Sequence, residues 1–437
     1  MTRRILAAAT FLQLLLADVA LAQAGGGSSS FGGGGGGGGF SGGGSSSGSG
    51  GGDDPVVVAI LFGIIGLFVL WTLLQSWRYH RKVKRRVERV EKASAEAAED
   101  DSYFAADDIE REGEELFRGC QVAWDQRDRE QLSRLVGEDL MVEWNRRLDD
   151  FDSKGWHNRV EVLGEPEIEY VGLTNREDDT EDRVVIRIEA KLKSVVITKD
   201  GTKIKRKGSS SDTMSLTEYW TLARRDGRWK VVSIEQKSEG DHELDAEIVA
   251  SPWAGRRIAD EALTEVAAAD KLPEGFKTAD LADFAFEDDA HAKALDLSLA
   301  DARFGPDVLE AAARRAVEAW AEAVDGEDAP LERVASPETI DQLLYAGDSS
   351  RKTRLVVRGP GVKRIRILDV EVETEPATMT IEVELAGRRY VEDRDTAAVL
   401  SGSKDRSTTF TERWTLALAG PDDAPWQLVA AGAARAA

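Results

Sequence analysis

The chain has 437 residues and a formal net charge of −23. That length suffices for two or three domains with cores of their own. The acidic balance, with no domain-wide basic face, excludes a nucleic-acid binder, and one cysteine excludes a disulfide framework or a Cys-rich metal site.

In chain order, Arg3-Arg4, an apolar run from Ile5 to Leu16 and the small-x-small Ala20-Leu21-Ala22 read as a cleavable signal over 1–22. Residues 23–54 are almost entirely Gly and Ser, broken by Phe31 and Phe40, and too poor in apolar surface to offset chain entropy. Val56 to Leu74 carry no charge; as a helix they would span roughly 28 Å, so 55–77 reads as one transmembrane helix. Trp71, Trp77 and Tyr79 suit its interface, and the cluster Arg78, Arg81, Lys82, Lys84, Arg85 and Arg86 follows. The positive-inside rule then puts the tail outside and everything after residue 78 in the cytoplasm of an inner-membrane protein. The same cations are candidates for contact with anionic lipid. Residues 78–104 read as a basic, then acidic, helix or linker that spaces the domains off the bilayer.

The segment Thr217-Glu218-Tyr219-Trp220-Thr221-Leu222-Ala223 returns as Thr411-Glu412-Arg413-Trp414-Thr415-Leu416-Ala417, so a structural unit occurs twice. Trp124 precedes Trp220, and Trp320 precedes Trp414, at nearly equal spacing, which pairs Trp124 with Trp320. Trp229 and Trp426 then open similar strands. In the first copy, 105–240, the periodicity predicts a helix over 107–126, with Cys120 on its apolar stripe as a core thiol, and a second helix carrying Leu132 to Leu148. Strands follow over 184–193, 216–224 and 229–234, with turns at Lys199-Asp200-Gly201 and Asp226-Gly227. The second copy, 300–437, predicts helices over 308–324 and 336–344 and strands near 365–372, 379–385, 410–418 and 426–430. Residues 241–299 read as a helical connector, with a boundary at Leu272-Pro273-Glu274-Gly275, and Gly359-Pro360-Gly361 as a turn before a strand. Helices ahead of antiparallel strands make each copy an α+β domain.

Leu116-Phe-x-x-Cys-Gln-x-Ala-Trp-x-x-Arg-Asp128 and Glu218-Tyr-Trp-Thr-Leu-x-Arg…Gly-x-Trp229, behind a signal, a Gly-rich tail and a membrane helix, resemble bacterial members of the family of translocase of the inner membrane, subunit forty-four. The resemblance is carried by residues 105–237; residues 300–431 join it through the internal repeat. It implies the nuclear transport factor two-like fold, a curved antiparallel sheet wrapped on helices into a pocketed cone. It also implies binding or scaffolding at a membrane, with a membrane-associated protein partner, rather than catalysis.

Chemistry is sparse. Glu218 and Glu412 each share a strand face with Leu or Phe and Trp, where a carboxyl serves either as a general base on a small apolar molecule or as half of an ion pair; the absence of an accompanying histidine or second acid favours the latter. Trp124, Trp220, Trp229, Trp320 and Trp414 are candidates for core or pocket wall. His80, His157, His242 and His291 are scattered, His242-Glu243 lacks a second histidine, and no cofactor or metal motif is found. The densest cations within the domains, Lys199, Lys203, Lys205, Arg206 and Lys207, form a hairpin tip.

Overall fold

A computed structural model describes residues 55–204, 211–251, 282–421 and 424–433. The signal, the tail, residues 252–281 with the Leu272-Pro273 boundary, and Lys205, Arg206 and Lys207 of the basic tip lie outside them.

Helix α1, Pro55–Asp100, is continuous. Val83, Arg86, Val90, Ser94 and Ala97 are buried along one stripe at helical spacing. Val83 packs with Val171, Val185 and Tyr219 on the back of the first sheet, while Val90 and Ala97 enter the first core. The segment expected to hold the domain off the membrane is therefore part of the domain, because its apolar stripe has a sheet to cover. Among the described residues no helix is long and apolar enough to cross a membrane; of the expected span, side chains 55–66 and 68 lie outside the described set.

The first domain continues with α2 (Ala106–Gln126), α3 (Arg129–Leu135) and α4 (Glu138–Lys154). The single helix expected over Leu132 to Leu148 is broken at Val136-Gly137, where Val136 bridges Val231 and the Gly137 N–H donates to the Val231 carbonyl at 2.8 Å. Strands β1 (Trp156–Thr174), β2 (Arg183–Thr198), β3 (Lys203–Ile204), β4 (Thr213–Arg225) and β5 (Arg228–Gln236) pair in the order β1-β2-β4-β5, with β3 on β2. β4 and β5 meet through Asp226-Gly227, both at positive φ, the backbone a two-residue hairpin demands.

After α5 (Lys237–Gly240) and the gap come β6 (Asp283–Phe286) and α6 (Asp288–Ser298). Ala290 and Ala294 of α6 belong to the second core, so the end of the expected connector is already domain. Then follow α7 (Pro306–Asp325), α8 (Ala329–Glu332), α9 (Pro337–Leu344), β7 (Thr353–Glu371), β8 (Thr378–Asp393), β9 (Val399–Gly402), β10 (Thr408–Leu418) and β11 (Trp426–Ala433). The order is β11-β10-β8-β7-β6; β6 is parallel to β7, and β9 pairs β8. Each copy is thus mixed α+β, one sheet antiparallel and the other carrying a parallel edge.

The duplication runs deeper than the tryptophan strand. Asp101 and Asp301 each cap a short 3₁₀ turn before the long helix, and Phe104 and Phe304 follow each cap. Phe104 meets Trp229 edge-on at 5.7 Å, and Phe304 meets Trp426 at 5.6 Å. Gly164 and Gly359, both at positive φ, mark irregularities in β1 and β7. Gly359 is therefore a bulge inside a strand, not a turn before one. β4 shifts register after Thr221 and β10 after Thr415, the same point of the repeat.

One expected pairing fails at the residue level. The buried positions of α2 and α7 coincide when the Asp caps are superposed, from Ile109 on Leu309 to Ala123 on Ala323. On that alignment Trp320 replaces Cys120, and Val324 replaces Trp124. Each tryptophan lies on the expected helix, one turn apart; similar spacing to the strand concealed a helical-turn offset offset in turn by loop length.

Candidate functional site

The repeated Glu-x-Trp pairs side chains within a strand. Trp220 Nε1 donates to Glu218 Oε2 at 2.9 Å, and Trp414 Nε1 to Glu412 Oε2 at 3.0 Å. Residues i and i+2 share a strand face, so each carboxylate satisfies an indole that the core would otherwise leave unbonded. The two acids then differ. Arg389 approaches Glu412 Oε1 at 3.2 Å and stacks 4.5 Å from the Phe410 ring. Glu218 is fully buried, and its Oε1 makes no hydrogen bond. The expected ion pair is thus found at Glu412, and among the described residues Glu218 has none. Burial pushes the Glu218 carboxyl up to about 7, the Trp220 bond opposing and the nearby Glu239 charge adding.

Trp124, Trp220, Trp229, Trp320 and Trp414 are all core. Trp220 lies against Phe117 of α2 at 5.4 Å, Trp124 against Trp144 at 5.6 Å, and Trp320 against Trp414 at 5.7 Å. Of four clefts among the described residues, Glu412 lines one, and none of the other expected pocket residues, Glu218 included, lines any of the four.

That cleft, of about 650 Å³, opens in the second domain among Leu343, Leu355, Arg389, Ser401, Ser403 and Glu412, with Arg406 exposed at its rim. Helix length explains it. α4 runs 17 residues and buries Leu148 and Phe151 in its last turns. α9 stops after 8 residues, so no such turns close the second cone. The wall offers aliphatic side chains, hydroxyls and a guanidinium, a surface for a partly apolar group with a negative end. Tyr390 also lines it, but its hydroxyl donates to Glu239 Oε1 at 2.7 Å, away from Glu412. Sequence reasoning missed Arg389, Arg406, Ser401 and Ser403; the short α9 was the signal available.

A second surface lies on α1. Leu67, Val69, Leu70, Trp71, Leu73, Leu74 and Trp77 are all exposed. Arg78, Arg81, Lys84 and Arg85 follow, also exposed, and Arg81 stacks 4.1 Å from the Trp77 ring. Lys82 is spent on Asp245 at 2.6 Å. Arg86, expected at the membrane surface, is buried instead. It donates to the carbonyls of Val171 at 2.5 Å and Ala246 at 2.6 Å, locking α1 to the domain. Burial lowers its guanidinium to about 10.

The domains meet through charge. Glu327 of the second domain accepts from Arg225 and, at 3.5 Å, from Arg183. Arg394 reaches Glu143 at 2.5 Å, Arg147 reaches Glu392 at 3.6 Å, and Asp139 accepts the Asp328 N–H at 2.8 Å. These pairs are partly to largely buried, and breaking one on one side is costly, so they fix the relative orientation of the copies.

The family model described as Tim44-like domain matches residues 90–236 and again 290–433. The chain belongs to the Tim44-like domain family. Both matches start within helices ahead of the expected domain borders, as the packing of α1 and α6 requires. Solved structures similar to this Tim44-like chain include the intermembrane space region of the chloroplast protein ARC6, at 13% identity and TM-score 0.24, covering 29% of this chain and 97% of that one. An Ntf2-like protein involved in plasmid conjugation matches at 9% identity and TM-score 0.17, over 72% of this chain and 93% of its own. No curated protein matches.

Proposed function

We propose that this Tim44-like protein is a membrane-anchored binding scaffold, held by a single span at 55–77 with its tail outside and both domains in the cytoplasm. The observation that carries the reading is α1 itself. Its turns from Leu67 to Trp77 expose large apolar side chains outside the fold, its next turns expose cations, and the rest is embedded in the first domain. An apolar patch on that scale needs a cover, and a bilayer flanked by anionic headgroups matches the sequence of apolar, aromatic and basic turns. The locked Arg86 makes α1 a rigid mount rather than a tether.

On this mount the second cone presents its cleft, whose occupant by chemistry is an acidic and partly apolar segment of a membrane-associated protein. A role assisting a protein-translocation complex fits such a scaffold. A general base at Glu218 or Glu412 has less support, since Glu218 lines no principal cleft and Glu412 is bonded to Arg389 and Trp414. Alkaline carbonate extraction of cell membranes tests the anchor: the protein should stay in the pellet, and external protease should spare both domains. Release into the supernatant, or digestion of the domains in intact cells, would overturn it.

A further inference from the structure

Between the domains, around His242, lies a cluster that the scaffold reading does not use. His242 Nδ1 is 2.8 Å from the backbone carbonyl oxygen of Glu239. A carbonyl only accepts, so Nδ1 carries a proton, and Nε2 is the ring atom that faces the carboxylates. Glu243 Oε1 stands 3.4 Å and Asp325 Oδ2 3.6 Å from Nε2. Glu235 Oε2, 3.5 Å from the ring at Nδ1, is buried and makes no hydrogen bond. One donor atom each from Glu235, His242 and Asp325 lie within 4.8 Å of one another. Donors about 2.0–2.2 Å from a tetrahedral ion are about 3.3–3.5 Å apart, close to the spacings around Nε2.

The surroundings hold these donors in place. Arg358 Nη1 takes the outer oxygens, Asp325 Oδ1 at 2.9 Å and Glu235 Oε1 at 3.5 Å, leaving the inner ones toward the imidazole. The Gly359 N–H donates to Asp325 Oδ2 at 3.2 Å, and the Gly359 α-carbon sits so close to His242 that a Cβ there would come 2.8 Å from the ring. Backbone-bonded imidazole and oriented carboxylates are the outer arrangement of metal sites. Glu235, Glu243 and Asp325 also line an interdomain cleft of about 570 Å³ that gives access from solvent.

We propose that Glu235, His242 and Asp325 bind one divalent d-block cation of the zinc class, clipping the second domain, through Asp325, to the first. One imidazole among carboxylates selects such an ion over magnesium or calcium, which prefer oxygen alone. The sequence hid the site because its ligands come from 235 to 325 with a single histidine.

The test uses the full chain in detergent micelles, stripped with a chelator. Zn²⁺ titrated against a chromophoric chelator should bind at one equivalent, and Co²⁺ should give visible absorption that Zn²⁺ abolishes. His242→Gln and Asp325→Asn should each weaken binding 10- to 100-fold or more, while His291→Gln should not. X-ray absorption of the zinc-loaded native chain, which requires no variant to fold, should show one imidazole among oxygen donors. No stoichiometric binding, native affinity in both variants, or a shell with sulfur or several imidazoles would overturn the proposal.

Discussion

In the first cone, α4 continues past Trp144 to bury Leu148 and Phe151, and the acid at its centre, Glu218, is sealed in without a cation. In the second, α9 ends at Leu344, and the equivalent acid, Glu412, shares an open cleft with Arg389. The two copies share one frame and differ in helix length: the filled copy packs against α1, and the copy with the shorter helix has an open cleft. The Glu-x-Trp bond common to both belongs to the frame, since each carboxylate satisfies its own indole whichever way the cone is finished.

The largest effect probes what the copies share. Trp220→Ala and Trp414→Ala should each cost about 3 to 5 kcal/mol of unfolding free energy, as deletions of large buried aromatics do. Denaturant melts of the full chain check this, and an unchanged midpoint for either would break the equivalence.

The next separates the two acids by pH. The folded-state carboxyl of Glu218 is raised to about 7 from 4.5, so its contribution to stability is complete below the unfolded value and is lost as pH rises through 7. Glu218→Gln imitates the protonated form. It should be close to neutral at pH 4.5 and more stable than the native chain above pH 7, by about 3 kcal/mol. Glu412→Gln should instead lose the Arg389 partner and destabilise by about 0.5 to 1 kcal/mol, the smaller figure reflecting the partly exposed arginine. Thermal melts across pH decide it; parallel behaviour of the two variants would erase the distinction. Arg389→Ala removes the same pair and the Phe410 contact and should destabilise by a similar amount, about 1 kcal/mol, while weakening capture of acidic peptides by the second cone; undiminished binding in a pull-down would remove Arg389 from the site.

Much of the frame was legible in sequence. The strand repeat located both copies, and the alternation in β2 gave its register. Trp124 and Trp320 misled because the count between tryptophans merges a helical turn with loop lengths, and only the burial stripe of each helix separates them. The break at Val136-Gly137 was hidden because a good helical period runs across it, and the bond to Val231 that ends α3 comes from a strand far along the chain. α9 was correctly short in sequence, yet its consequence, an open cone, depends on what stands opposite. Arg86 reads as a topology signal among five other cations, and only the carbonyls of Val171 and Ala246 show that it points inward. The His242 cluster joins residues with no local pattern at all.

The division between a sealed and a receptive cone is tested most directly by thiol labelling. Cys120 is buried and, by burial, held far from its thiolate, so it leaves the chain silent toward a maleimide. Ser403→Cys, in the second cleft, should label rapidly in the purified full chain and more slowly in native membranes, where the occupant covers it; Phe151→Cys, in the first cone, should stay unlabelled in both. Equal labelling of Ser403→Cys in the two settings, or labelling of Phe151→Cys at a similar rate, would contradict the account.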